Sequence, residues 1–286
     1  MTPNEHALAA ERQFDFCLWE YPPAAPPEGK LRSVNLLRRS FAEEGVPEEG
    51  EAFIRCLRDG LGPSNTVWGI KQEEGRTSWE FYFYDYDRLK RERSIPRVLS
   101  LLAPRIRCDV SPGEQLPYFM FSLDFDRERL AGRRPLEDIQ VYIGNIGSRV
   151  SSGICYEATA AGLRLKNQYY FFNAREEREN IVGKATASVH FDPARVALRE
   201  LLWPELVDCG TIVLANKPDR DGVYFCRLTV DQLLVFLRRM RFPESQVLFI
   251  EAHRGSLDHM LYDVGFDYRM EGDRLRIVKG AWYGVF

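Results

Sequence analysis

The 286-residue sequence predicts an α+β domain in which an antiparallel sheet of about ten strands curls closed into a barrel with helices outside. Three observations carry this expectation. A strand pair followed by a helix recurs along the chain. The turns between paired strands are short and rich in Gly and Asp. Most strand candidates split into one apolar and one polar column, as alternation across a sheet requires.

The elements follow in order. Residues 1–30 read as a leader ending in the extended segment YPPAAPPEGK (Tyr21 to Lys30), and residues 31–286 as one barrel-like domain. Leu36, Leu37 and Phe41, then Phe53, Ile54, Leu57 and Leu61, have helical spacing, stopped by Gly60 and Gly62-Pro63. Thr66–Lys71 and Ser78–Tyr86, joined by a polar turn, form a hairpin, and a helix with Ile95, Val98, Leu99 and Leu102 inward follows, closed by Pro104. Further strands are predicted at Tyr118–Phe125, Asp138–Gly144, Ser152–Ala158, Leu163–Phe172 and Lys184–Phe191, with a helix over Pro193–Leu202. The hairpin-helix order returns in Thr211–Lys217, the turn Pro218–Gly222, Val223–Leu228 and a helix capped by Thr229. A third copy closes the chain: helix Ser256–Tyr262, Gly265–Met270, and Arg274–Lys279, with the apolar Ala281–Phe286 docked as a final strand or plug. Two smaller sheets are the structural alternative.

Composition limits the partners. Thirty-nine Lys and Arg nearly balance 42 Asp and Glu, the net charge is -3 and the pI near 5.9, so nothing general favours nucleic acid or an anionic membrane. No basic-then-apolar leader and no span of roughly 20 apolar residues occurs, so a soluble cytoplasmic protein is expected. The six cysteines are scattered without a CxxC pair and read as reduced thiols; no cofactor and no metal site is expected.

The polar columns hold the chemistry. Glu80, Tyr82 and Tyr84 oppose Trp79, Phe81 and Phe83; Tyr118, Met120, Ser122 and Asp124 oppose Phe119, Phe121, Leu123 and Phe125. Arg164, Lys166, Gln168 and Tyr170 form one column of the longest strand, and Lys184, Thr186, Ser188 and His190 form a column of the next. A half-exposed sheet with its polar face in water gives the same alternation. If the sheet closes instead, these columns line an interior in which unpaired cations are costly without an anion.

Arg164-Leu-Lys166 with Tyr170 resembles the Arg-x-Lys-x-Tyr ladders of the ABBA prenyltransferases, whose PT barrel is built from αββα units; the sequence departs from that ladder at Gln168. The resemblance, an order of elements over residues 60–286, implies a metal-independent transfer of an isoprenoid from its diphosphate to an aromatic or peptide side-chain acceptor. It implies diphosphate binding by Lys71, Arg164, Lys166, Lys184, Lys217, Arg227 and Lys279, and sheltering of the allylic cation by Tyr82, Tyr84, Tyr118 and Tyr170. Glu80, matching the family's acidic residue in position, is the proton acceptor, with His190 second.

Two other readings stay open: a non-catalytic scaffold presenting a polar groove to peptide or protein, and a pentein-like hydrolase, which asks for a cysteine nucleophile with His and acidic partners. The loop Gly144–Gly153 with Arg149 reads as an ordinary loop, His253 and His259 lack a third metal ligand, and Arg88–Arg93 reads as a solvated charged face.

Overall fold

The computed structural model describes residues 3–9, 21–63, 66–85, 90–110, 112–113, 115–145 and 151–286. Helices α1 (Val34–Glu43) and α2 (Pro47–Leu61) precede the hairpin β1 (Val67–Glu73) and β2 (Arg76–Tyr84). Then come α3 (Ile95–Leu102), β3 (Met120–Phe125), the short α4 (Arg127–Leu130), β4 (Asp138–Gly144), β5 (Ser152–Thr159), β6 (Gly162–Asn173) and α5 (Arg178–Thr186). The chain continues through β7 (Thr211–Asn216), β8 (Asp221–Leu228), α6 (Val230–Arg239), α7 (Glu244–Ala252), α8 (Arg254–Leu257), β9 (Tyr262–Glu271) and β10 (Arg274–Val285). Every strand pairs antiparallel with its sequence neighbours, and β1 pairs with β10, so the sheet is a closed barrel of ten strands with no open edge.

Alternation decides which residues enter the wall's outer shell. On β2, Trp79 and Phe81 point outward: Phe41 of α1 lies 4.9 Å from the Trp79 ring and Phe53 of α2 lies 4.5 Å from that of Phe81. Trp79 Nε1 donates to Ser40 Oγ at 2.7 Å, which satisfies its polar edge in this buried layer. Around the wall, Trp203 stacks 4.8 Å from Phe266 of β9, and α6 begins with the capping box that Thr229 and Gln232 predict. The main apolar core is therefore the shell between barrel and helices, and the opposite face of each strand lines the lumen.

The direction of β1 sets the two ends apart. The turns after β1, β3, β5, β7 and β9 lie at one end, whereas the longer, helix-bearing connections after β2, β6 and β8 lie at the other. At that second end the Ser33 hydroxyl donates to the Val285 carbonyl at 2.6 Å and Arg32 to the Phe286 carbonyl at 2.9 Å. The terminal apolar run is thus the end of β10, with Phe286 buried. The extended segment packs on the same body through Tyr21, whose hydroxyl donates to the Leu261 carbonyl at 3.0 Å.

Four expectations change. Lys184–Phe191 is not a strand: Lys184 lies in the last turn of helix α5, which buries Ile181 and Ala185 at helical i, i+4 spacing after Asn173 and Glu177 have organised the preceding turn. Pro193–Leu202 holds only a single 3₁₀ turn, Leu198–Glu200, and the helix expected to reach Tyr262 stops at Leu257 so that β9 can begin there. Arg91 is no solvated charge; it pairs with Asp85 at 2.9 Å, donates to the Leu116 and Tyr118 carbonyls, and lies over the Tyr118 ring. Cys17, Arg88 and Arg149 lie outside the described residues.

Candidate active site

The lumen holds two joined compartments. The larger, a cavity of about 440 Å³ at the hairpin end, is lined by charged groups that include Lys71, Glu80, Asp124, Lys217, Asp267 and Lys279. The smaller, about 80 Å³ and nearer the other end, is lined mainly by apolar and aromatic side chains such as Phe119, Met120, Phe171 and Val213. Five tyrosines line both: Tyr82, Tyr142, Tyr169, Tyr224 and Tyr283.

Those tyrosines form a continuous arc. Successive ring centroids are 5.8 Å apart from Tyr283 to Tyr82, 6.1 Å from Tyr82 to Tyr142, 5.9 Å from Tyr142 to Tyr169 and 6.3 Å from Tyr169 to Tyr224. Two glycines on neighbouring strands make room for the ends of the arc. A Cβ on Gly69 would come 2.6 Å from the Tyr283 ring, and one on Gly265 would come 2.1 Å from that of Tyr224. Burial raises the Tyr142, Tyr169 and Tyr224 hydroxyls well above the ordinary phenol range, so they act as neutral donors and aromatic faces.

The charges above the arc come in close pairs. Lys71 Nζ stands 2.5 Å from Asp124 Oδ1 and 3.8 Å from Glu80 Oε2. Burial opposes the Lys71 ammonium, but Asp124 and Glu80 outweigh it and hold its pKa above the ordinary lysine value. Lys217 Nζ lies 2.6 Å from Asp267 Oδ1 and 3.3 Å from the Tyr224 hydroxyl. Lys279 reaches only to 3.7 Å from Asp267, and burial together with the nearby Lys217 and Lys71 leaves its pKa lowered. Burial also opposes ionisation of Asp124 and Asp267, yet the lysines around each keep both below the usual carboxylate value. Toward the mouth, Glu157 pairs with Arg164 and, at 3.4 Å, with Lys166, while Arg220 bridges Glu73 and Asp219.

Glu80 lines the polar compartment, buried, accepting from the Ser122 hydroxyl at 3.2 Å; that hydroxyl is 3.3 Å from the one on Tyr142. Three carboxylates, three lysines and a tyrosine wall thus surround one space with a polar half and an apolar half. The solved structure of AnaPT from Neosartorya fischeri, an ABBA prenyltransferase, superimposes over 88% of this chain and 91% of its own with a TM-score of 0.53. The fold is that of the PT barrel. At 8% identity the likeness concerns the architecture alone. No protein-family model matches the chain. A putative JmjC domain-containing protein, L887, of Acanthamoeba polyphaga mimivirus is 20% identical over 278 residues, an alignment spanning 82% of this chain and 44% of that relative.

The PT barrel gathers part of the expected set. Lys71, Glu80, Arg164, Lys166, Lys217 and Lys279 line the polar compartment, Tyr82 lines both, and Tyr84 lines the apolar one. Five residues stand elsewhere. Tyr118 is buried outside the wall, where its hydroxyl accepts from the Ile95 amide. Lys184 and Tyr170 meet outside as well, the ammonium 4.0 Å above the ring. Arg227 occupies a bulge at φ 66°, and its side chain packs over Gly210. His190 lines neither compartment.

The cause of the Tyr170 discrepancy is a β-bulge. The pairing of β5 with β6 jumps from Tyr156↔Leu165 to Cys155↔Asn167, leaving Lys166 as the extra residue. Before the bulge Arg164 and Lys166 face inward; beyond it Asn167, Tyr169 and Phe171 do, and Gln168 and Tyr170 turn out. Sequence reading also passed over Asp267 and the tyrosines at 142, 224 and 283. Alternation could have found them, since Val264, Phe266 and Tyr268 oppose Asp263, Gly265 and Asp267.

Of the described cysteines, Cys226 lines the apolar compartment. Burial pushes the Cys155 thiol up to about 12, and the described cysteines are all unbridged. His253 is held by the Phe249 carbonyl at 2.9 Å, and burial lowers His259 to about 4. Among the described residues no group of three His, Cys, Asp or Glu is placed to hold a metal ion, and no helix is long and apolar enough to cross a membrane.

Proposed function

We propose that this barrel transfers an isoprenoid group from its diphosphate to an aromatic or peptide side-chain acceptor. The observation that carries the reading is the junction of a lysine-rich compartment with an apolar one across the tyrosine arc. The diphosphate takes Lys71, Lys217 and Lys279, with Lys166 and Arg164 toward the mouth, so that positive charge meets the leaving oxygens as they develop negative charge. The prenyl chain lies against the arc and reaches toward Tyr84. As the C1–O bond breaks, the allylic cation is sheltered by aromatic faces and kept from water. The acceptor forms the new bond to the allylic carbon, and Glu80 takes the proton it releases. This scheme asks for no metal, since lysines take the leaving-group charge.

A second reading, a non-catalytic protein that binds peptide or protein at the barrel mouth, has one observation in its favour. The lumen cations already stand beside carboxylates, as in a self-satisfied structural network. The JmjC label of the mimivirus relative suggests different chemistry, but this chain spans less than half of that protein at 20% identity.

Thermal-shift titration with dimethylallyl and geranyl diphosphate against inorganic pyrophosphate, with and without magnesium, separates the two. A ligand that binds only the folded state must raise its apparent stability. A shift that grows with chain length supports the transferase; no shift at saturation with any of the three favours the binding protein.

A further inference from the structure

The lumen's central cluster is electrically balanced within itself: Lys71, Lys217 and Lys279 face Glu80, Asp124 and Asp267. Asp267 holds the key position. It is buried, its carboxylate lies 2.6 Å from Lys217 and 3.7 Å from Lys279, and its β9 position pairs directly with Lys279 on β10. The wall is shaped to admit it, because a Cβ on Gly222 of β8 would lie 2.8 Å from Asp267 Oδ1. An anion entering between these lysines meets a carboxylate already in place.

We propose that Asp267 is a specificity-determining residue, an internal counter-anion that the incoming diphosphate must displace and that thereby rejects anions of lower charge. The inference rests on the diphosphate reading above. One carboxylate satisfies two lysines only in part, as the 3.7 Å separation shows. A diphosphate brings two linked anionic groups and can satisfy Lys217 and Lys279 together, with charge left for Lys71. Inorganic phosphate brings one group, and exchanging it for Asp267 leaves the carboxylate desolvated and unpaired for little return. The aspartate thus lowers the affinity for every anion, most of all for those that cannot replace what they break.

The sign of the consequence is opposite to that for an ordinary binding residue. Asp267→Asn keeps the shape, removes the competing charge and leaves Lys217 and Lys279 uncompensated. Calorimetric titration of wild type and Asp267→Asn with inorganic pyrophosphate and inorganic phosphate reads this directly. The expected result is a pyrophosphate affinity at least about tenfold higher in the variant, with phosphate gaining more, so that the preference between the two narrows. If Asp267→Asn is folded and binds pyrophosphate no better, or more weakly, the proposal is wrong even though wild type binds it. If neither protein binds either anion, the diphosphate reading falls with it. Should Asp267→Asn fail to fold, Asp267→Glu serves: its carboxylate, one methylene longer, keeps the competing charge, so affinity unchanged within about threefold is expected. A pyrophosphate gain of tenfold or more in Asp267→Glu would refute the charge argument.

Discussion

Replacing Lys71 with Met tests the electrostatics of the lumen apart from any substrate. Methionine keeps the length and the apolar stem, so the change removes the ammonium and little else. That ammonium lies 2.5 Å from Asp124 and 3.8 Å from Glu80, and its side chain is only 10% exposed. Breaking a buried pair by deleting one partner costs about 3–5 kcal/mol. Asp124 is 25% exposed and has Lys166 and Lys279 nearby, which places the loss at the lower end, ~3 kcal/mol, or a melting temperature lower by roughly 6–12 °C.

The pH dependence gives that loss a signature. In the wild type Asp124 has a lowered pKa, so its pairing contributes stability above the ordinary value of 3.8 and loses it as the pH falls through the folded value. In Lys71→Met the same carboxylate loses its principal cation and its pKa rises. The gap between the two proteins is therefore full at about pH 7 and closes toward about pH 4, where the variant has already taken up the proton. Urea unfolding of both proteins across that range measures it. A gap under about 0.5 kcal/mol at neutral pH, or one that does not narrow on acidification, would refute the reasoning.

Other expectations follow from the same geometry. Glu80→Gln should not lower the thermal shift by geranyl diphosphate while slowing transfer by about 10²- to 10⁴-fold, checked by product mass spectrometry at saturating donor. Lys184→Ala removes a cation held over Tyr170 outside the barrel, so it should change stability by no more than ~1 kcal/mol in chemical denaturation and leave ligand shifts as they are. Gly265→Ala drives a methyl into the Tyr224 ring and should lower stability by about 1–3 kcal/mol, with a weaker response to longer prenyl chains than to pyrophosphate in the same titration.

The parts of the fold written in strong local patterns could be read from the sequence. The columns of β2 came out correctly because Trp79 and Phe81 alternate without interruption with Glu80 and Tyr82, and each hairpin carries its own turn residues. Closure was expected from strand number alone, and the pairing of β1 with β10 completes it. Failures arose where one residue changed the count or where a pattern had two meanings. The bulge at Lys166 reverses the inward set of β6, and nothing local in Arg164 to Tyr170 announces it. Lys184 to His190 alternates like a strand, yet Ile181 and Ala185 have helical spacing and the core they meet decides between the two. Asp124 and Asp267 were passed over as site residues because the significance of a buried acid depends on the cation opposite, which only the register supplies.

The central claim is that one ligand occupies both compartments, and a structure determined with a geranyl thiolodiphosphate analogue tests it most directly. Diphosphate oxygens are expected within hydrogen-bond distance of Lys71, Lys217 and Lys279, with the geranyl chain crossing the arc from Tyr283 to Tyr224 toward Tyr84. An analogue bound on the outer wall, or diphosphate density at the mouth with the arc untouched, would contradict it.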